Sequence, residues 1–568
     1  MSEKLSPTPA IELRDVHFTY QGTQMPALNG ISLAFLRGSF TVVMGPSGAG
    51  KTTLARCING IVPKYYRGDF SGDVRLSDQS IGARTVPENA ADVGMVFQDF
   101  ESQIFSTDIL LDLSFGPENL GHPPADILDR AREIMHSLHF EGMSDRDSTA
   151  LSGGQKQRLA IASVLMMHTP IIVLDEPTTD LDPLSRIEIL ELLAVIRRSG
   201  RTVILIDHSP EVALSADRVI VLNAGEVVAD GDPVTVFPAM LSMPMPGIRA
   251  PQLMDALRRL GIPPCPVTVA ETEALIRNRY RVGSASGTRE SESRTAIPEP
   301  AIRVEGVRFS YSSSRVLDGI DLMIGRGDFV ALLGRNGSGK TTLAKHVNGI
   351  LTPDEGQVWI GGMPVSGMSA GDLARSIGYV FQNPDHQLFC PRIREELEFG
   401  LRQGGIDKSE WDGRIESALE AVGLTGRETA DPFMLTKGDR QRVAVASVLV
   451  MTPRIIVLDE PTTGLDHRDQ LGMMALIERL NREGHTIVMI THSMTVAMQF
   501  AKRIVLMAGG RVIGDGDRSL FMRDELLVEA GLRRPPIADL SARFGWIASS
   551  VEEFVACVRE GACGGEQP

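Results

Sequence analysis

The sequence predicts an α/β protein built from two tandem phosphate-loop nucleotide-binding domains, each a mostly parallel sheet with helices. Three observations carry this. Two glycine-rich stretches, Gly45-Pro46-Ser47-Gly48-Ala49-Gly50-Lys51-Thr52 and Gly334-Arg335-Asn336-Gly337-Ser338-Gly339-Lys340-Thr341, each read Gly, four residues, Gly-Lys-Thr. Each follows an apolar run suited to a strand, Phe40–Met44 and Phe329–Leu333. Much of the chain then repeats in constant register: Gln98 and Gln382, Asp175 and Asp459, and His208 and His492 all lie 284 residues apart. Such a repeat is a duplication, and each copy is expected to be a domain.

The loops dictate their own chemistry. Glycines let the backbone fold into a nest whose N–H groups point at phosphate oxygens. The helix that follows adds its positive end. Lys51 and Lys340 are placed to reach the terminal phosphates, and the hydroxyls of Thr52 and Thr341 to ligate magnesium. Thr53 and Thr342 follow directly and belong to the same nucleotide-binding set. A single chance match in a chain this long has odds of roughly a few per cent; two behind matched strands point to nucleotide.

Bulk properties bound the rest. The 568 residues exceed one domain, and 43% hydrophobic with 23% charged residues is ordinary for a globular chain. No run approaches the roughly 18 apolar residues of a membrane span. Met1–Pro7 lacks the apolar centre of a signal peptide, so the expected home is the cytoplasm, with membrane contact through a partner. A net charge of −15 argues against a broad nucleic-acid surface. The five cysteines are odd in number and suggest free thiols.

Taken in order, residues 1–10 read as a tail and 11–246 as the first domain. It opens on the alternating strand Ile11–Tyr20, matched by Ile302–Tyr311. Tyr20 and Tyr311 end these strands and are expected to stack on adenine. The loop lysines are 289 apart, so the first copy carries five extra residues, placed around Tyr65–Phe70. Ile171–Leu174 and Ile455–Leu458 are branched apolar runs suited to strands buried on both faces. Each ends in two carboxylates, where α/β sheets bind ligands: Asp175 and Asp459 for the magnesium shell, Glu176 and Glu460 to polarise an attacking water. A lone histidine is ordinarily structural, but His208 and His492 follow strands at identical register and join the catalytic set. Residues 247–280 and 531–568 are matching tails, 281–300 a small-residue linker, and 301–530 the second domain.

Read together, these residues resemble the ATP-binding cassette (ABC) ATPases over nearly the whole chain. The specific mark is Leu151-Ser152-Gly153-Gly154-Gln155-Lys156-Gln157-Arg158, similar to the family's signature motif. Gln98 and Gln382 match its glutamine loop, Thr179-Asp180-Leu181-Asp182 and Thr463-Gly464-Leu465-Asp466 its aspartate loop, and His208 and His492 its switch histidine. The resemblance implies an antiparallel β subdomain and a helical subdomain in each cassette. It also implies ATP and Mg2+ as ligands, with Gln98 and Gln382 near both, and nucleotide contacts from Ser152, Gly153, Gly154 and Gln155 and from Thr436 and Gly438. The cassettes are expected to pair head to tail within the chain, each ATP between one phosphate loop and the other cassette's signature.

A narrower resemblance is to energy-coupling-factor importers of vitamins and transition metals. It rests on Val96–Phe105, Val380–Phe389 and Phe115-Gly116-Pro117-Glu118-Asn119. It implies a transmembrane scaffold protein and a substrate-capturing membrane protein as partners, no nucleic acid, and a peripheral place on the cytoplasmic face of the membrane. The second signature departs from the pattern: Leu435-Thr436-Lys437-Gly438-Asp439 puts Lys437 and Asp439 where a glycine and a glutamine are usual. The expectation is strain from a β-carbon at Lys437 and repulsion of phosphate by Asp439. With the signatures exchanged, the Lys340 site meets the intact motif and is expected to hydrolyse faster. Alternatives are a soluble tandem ATPase acting on the ribosome, which ordinarily needs a basic helical connector, and a sugar-type importer.

Overall fold

The computed structural model describes residues 9–280 and 300–559, apart from 139, 180, 244, 246, 266–267 and 312–313. The expected linker therefore lies outside the described residues except for Pro300, as do residues 1–8 of the N-terminal tail and 560–568 of the last one. The chain divides into two compact units, Met1–Leu181 with Ser185–Pro251, and Asp182–Leu184 with Gln252–Pro568.

In the first unit six strands form one sheet, in the order Glu226–Gly231, Arg218–Asn223, Phe40–Met44, Thr202–Ile206, Ile171–Asp175, Val93–Val96. Five run parallel and the Glu226–Gly231 edge strand runs antiparallel. Phe40–Met44, Ile171–Asp175 and Thr202–Ile206 are buried at every residue, which is why they read as continuous apolar runs rather than alternating ones. Each large apolar side chain so buried contributes roughly 1.5–3 kcal/mol. A second, four-stranded antiparallel sheet is ordered Leu28–Leu36, Pro9–Tyr20, Gly68–Leu76, Gln79–Ser80. The second unit repeats both: Ile377–Val380, Ile455–Asp459, Thr486–Thr491, Phe329–Leu333, Arg503–Ala508, Arg511–Gly516, and Ser314–Gly325, Pro300–Tyr311, Glu355–Ile360, Met363–Pro364. The expected parallel sheet and antiparallel subdomain are both present in each copy.

The extra length of the first copy holds a short helix, Ile61–Lys64, and a strand, Gly68–Leu76, longer than its counterpart Glu355–Ile360. In the first copy the pairing of the opening strand runs out to Tyr20 opposite Gly68. In the second it ends at Arg308 opposite Glu355. The helical subdomain of each copy is carried by Ile109–Asn119, Pro124–Ser137 and Gly153–Met166, and by Ile393–Gln403, Lys408–Val422 and Lys437–Leu449.

The matching tails share one core. Leu253, Leu257, Leu260 and Ile276 of the first tail pack with Ile537, Leu540, Phe544 and Phe554 of the second. The Arg277 guanidinium lies 4.5 Å from the Phe544 ring centre, and Gln252 Oε1 accepts from Ile537 N at 3.3 Å. Neither tail carries enough apolar surface for a core alone; together they bury one.

Candidate nucleotide sites

Each phosphate loop turns from a central strand into a helix, Lys51–Ile58 or Lys340–Val347. The residue before each helix is Gly50 or Gly339, with φ of 98° and 100°. A β-carbon on Gly50 would lie 2.3 Å from the Ala27 carbonyl oxygen, so handedness and crowding both require glycine there. Gly45-Pro46-Ser47-Gly48-Ala49 and Gly334-Arg335-Asn336-Gly337-Ser338 form the turns ahead of them. Lys51 Nζ donates to the carbonyls of Gly45 and Pro46, each at 2.9 Å. Lys340 Nζ does the same to Gly334 and Arg335, at 2.8 and 2.9 Å. The ammonium thus spans its own loop and holds the nest open. Burial lowers the Lys340 pKa, against the opposing pull of Glu460 and Asp459.

At the ends of the strands next but one to the loop strands sit Asp175-Glu176 and Asp459-Glu460, all four buried. Glu176 and Glu460 have φ of 52° and 51°, left-handed values that are uncommon for glutamate. Backbone strain of this kind gathers at functional sites. It turns both side chains back toward a histidine: His208 Nε2 and His492 Nδ1 each lie 2.8 Å from the glutamate Oε1. Thr463 donates to Glu460 Oε2 at 3.0 Å, and Gln98 Nε2 donates to Glu176 Oε2 at 3.0 Å. Burial works to raise the Glu460 pKa, but the charge and hydrogen bond of His492 and the charge of Lys340 outweigh it, and the carboxyl stays below the usual range. Asp175 is pushed up to about 6 by burial and by the charge of Glu176; burial likewise raises Asp459.

The aspartates fit a hard divalent cation. No donor closes a hydrogen bond of normal length onto either oxygen of Asp175 or onto Asp459 Oδ1, although all three atoms are buried. Thr52 and Thr341 face these carboxylates. Buried, donor-poor carboxylate oxygens beside a hydroxyl are the chemistry magnesium takes.

The tyrosines differ between copies. Tyr20 is half-buried, with its hydroxyl 3.1 Å from Thr53 Oγ1 and its ring 4.7 Å from that of Phe18. Tyr311 is exposed, with its ring edge on Phe309. Thr342 is buried and accepts through its carbonyl from His346. Gln98 and Gln382 each follow their strand by two residues, and Gln98 reaches across to the glutamate.

The signatures begin helices. Ser152 caps Gly153–Met166 by accepting from Gln155 N, and Gln155 returns a bond to Ser152 N, a complete capping box. Thr436 caps Lys437–Leu449 through Asp439 N, without the return bond. The expected strain at Lys437 is not found. Lys437 is the first helical residue, and a β-carbon at the matching Gly153 would meet nothing within 4 Å among the described residues. The close approach falls one residue later: a β-carbon would lie 2.9 Å from Ser185 Oγ at Gly154, and 2.7 Å from Asp469 Oδ2 at Gly438. Lys437 instead lies across Gly464, where a β-carbon would come within 2.2 Å of its Nζ. The first copy has Gly153 and Asp180 at these two positions, so lysine and glycine changed together; Asp180 lies outside the described residues.

Sequence reasoning named Thr463 only as part of the aspartate loop, without its bond to Glu460, and did not single out Tyr379 or the left-handed backbone of the glutamates. Tyr379 hydrogen-bonds Asp459, and the first copy has Met95 at that register, a difference visible on aligning the copies.

The ABC transporter family matches residues 28–179 and 317–463. An ABC transporter ATP-binding protein of Caldanaerobacter subterraneus subsp. tengcongensis is 41% identical over 561 residues, covering 97% of this chain and 99% of its own. One from Methanosarcina acetivorans is 37% identical over 553 residues, covering 94% of this chain and 90% of its own. A solved structure titled cbiO1 from Clostridium perfringens, part of the ABC transporter complex cbiONQ, is 34% identical and covers 43% of this chain and 99% of that one, with a TM-score of 0.38.

Proposed function

The chain belongs to the ABC transporter family as a two-cassette ATPase, and we propose that it is the energy-coupling subunit of an importer of the energy-coupling-factor type, taking up a vitamin or a transition metal. The observation that carries the ATP chemistry is the doubled arrangement of loop lysine, buried Asp-Glu pair and histidine. Lys51 and Lys340 bind the terminal phosphates. Glu176 and Glu460 take the proton of the attacking water, and His208 and His492 hold them in place. Thr52, Gln98 and Asp175, or Thr341, Gln382 and Asp459, would hold magnesium, which when bound would supply charge neutralisation at the phosphates. The signatures at Ser152–Gln155 and at Thr436 and Gly438 close on the other cassette's nucleotide, with helix N-termini and hydroxyls aimed at phosphate. Binding clamps the cassettes; hydrolysis releases them.

No helix among the described residues is long and apolar enough to cross a membrane. A pair of aromatic platforms supports the reading that motion passes to membrane partners. Phe105 and Phe115 meet edge to face at 4.3 Å, Phe389 and Phe399 at 4.8 Å. All four rings are exposed. They are held rather than loose: Asp112 accepts from Phe105 N and Ser106 N at 3.2 and 3.3 Å, and Glu396 from Phe389 N and Cys390 N at 2.9 and 2.8 Å. Gln103 and Gln387 pin the start of the same loops by accepting from Phe97 N and Phe381 N. An exposed aromatic pair on an anchored loop, repeated in both cassettes, suits two apolar helices of a membrane scaffold.

Replacing Phe105 and Phe389 together with serine is expected to weaken co-purification of membrane partners in detergent by about tenfold or more. ATP turnover of the isolated chain should remain. Partners retained at full stoichiometry would remove this docking surface from the proposal, and ribosomes in place of membrane proteins would overturn the importer reading.

A further inference from the structure

The two candidate magnesium carboxylates are held differently. In the second cassette, Tyr379 lies opposite Val457 on the neighbouring parallel strand, and Asp459 is two residues further along, on the same face of the sheet. The phenol crosses that diagonal and donates to Asp459 Oδ2 at 2.9 Å. Both residues are buried, and the ring is wedged edge-on against Phe381 at 4.9 Å. A hydrogen bond from a packed phenol to a carboxylate fixes the rotation of that carboxylate, because its donor cannot follow it. Oδ2 is thereby committed, while Oδ1 is buried without a hydrogen bond of normal length and the Thr341 hydroxyl faces the carboxyl. In the first cassette the same register holds Met95, whose sulfur takes a bond from Asn59 Nδ2 at 2.7 Å and which has no proton to give. There neither oxygen of Asp175 has a donor at normal length.

We propose that Tyr379 is a positioning residue for the divalent cation of the second site: it locks Asp459 so that Oδ1 is presented to the metal beside Thr341, a constraint the first site lacks. The inference rests on the reading of the Lys340 loop as a nucleotide site. It gives the two sites different metal requirements before any contact from the opposing signature. A rigid carboxylate needs less reordering when the cation arrives, so the second site loads at lower Mg2+.

The test uses the full-length chain carrying Lys51→Ala, so that only the Lys340 site loads, with a fluorescent ATP analogue titrated by Mg2+. Tyr379→Phe is expected to raise the half-saturating Mg2+ concentration about threefold to tenfold, leaving analogue binding in EDTA unchanged. Tyr379→Met, which copies the first cassette's own solution, should do the same and guards against a folding defect of the phenylalanine variant. An unchanged Mg2+ requirement in both variants overturns the proposal. So does an equal loss of binding in EDTA, which marks a structural role only. Failure of the Lys51→Ala chain itself to load at any Mg2+ concentration overturns the nucleotide-site reading, and the proposal with it.

Discussion

Glu460→Gln is expected to lower ATP turnover of the assembled transporter by about 10²–10⁴-fold, the range for losing a positioned general base, and Glu176→Gln by clearly less. The substitution keeps the shape of the side chain and one acceptor oxygen for the bonds that Glu460 takes from His492 and Thr463, while the amide nitrogen can only donate to the other partner; the fold should be retained. What it removes is proton acceptance. His492 and Lys340 hold Glu460 ionised, so the lost group is a carboxylate free of its own proton. The asymmetry comes from the signatures. In the proposed head-to-tail pairing the Lys340 site would be completed by Ser152, Gly153 and Gly154, whose capping box is intact. The Lys51 site would be completed by Thr436, Lys437 and Gly438, where the return bond is missing and Asp439 adds a negative charge. Lys437 does not strain its helix, so the difference lies in charge and in the missing return bond of the cap, not in backbone geometry. Steady-state phosphate release by the two variants in the reconstituted assembly decides the matter. Equal losses, or the larger loss in Glu176→Gln, would show that the intact signature does not set the faster site.

Most of the fold was legible because its signals are local. Ile171–Leu174 and Ile455–Leu458 read as doubly buried strands, and every residue of both is buried. The loops announced themselves through glycines that the left-handed backbone at Gly50 and Gly339 requires. Glu176, His208, Glu460 and His492 were legible as site residues at strand ends, but that each glutamate meets its histidine is set by the order of the strands in the sheet. What was not legible depends on contacts between distant segments. The tails look like separate appendages, yet Leu257 and Phe554 share one core. The Lys437 substitution reads as strain in a one-dimensional pattern, and only the packing of its side chain over Gly464 explains why a glycine faces it. Tyr379 sits inside an unremarkable apolar strand, and its partner is 80 residues away.

Replacing both Lys51 and Lys340 with alanine is expected to abolish ATP-dependent uptake by the reconstituted assembly, a larger effect than either glutamate change produces alone. Each ammonium does two jobs. It bridges two carbonyls across its own loop, Gly45 with Pro46 and Gly334 with Arg335. It is also the buried positive charge that faces the terminal phosphates. Alanine removes both at once: the nest loses its internal brace, and several phosphate charges enter a low-dielectric site with the lysine's share of their compensation gone. Asp175-Glu176 and Asp459-Glu460 then repel the incoming nucleotide without a counter-charge at that end of the site. Binding should fail before chemistry, so the loss is expected in equilibrium nucleotide binding as well as in transport. A double variant that still drove uptake at the wild-type rate would show that transport draws its energy elsewhere. One that bound nucleotide normally but could not hydrolyse it would confine both lysines to the chemical step, and would require the loop amides alone to supply the affinity.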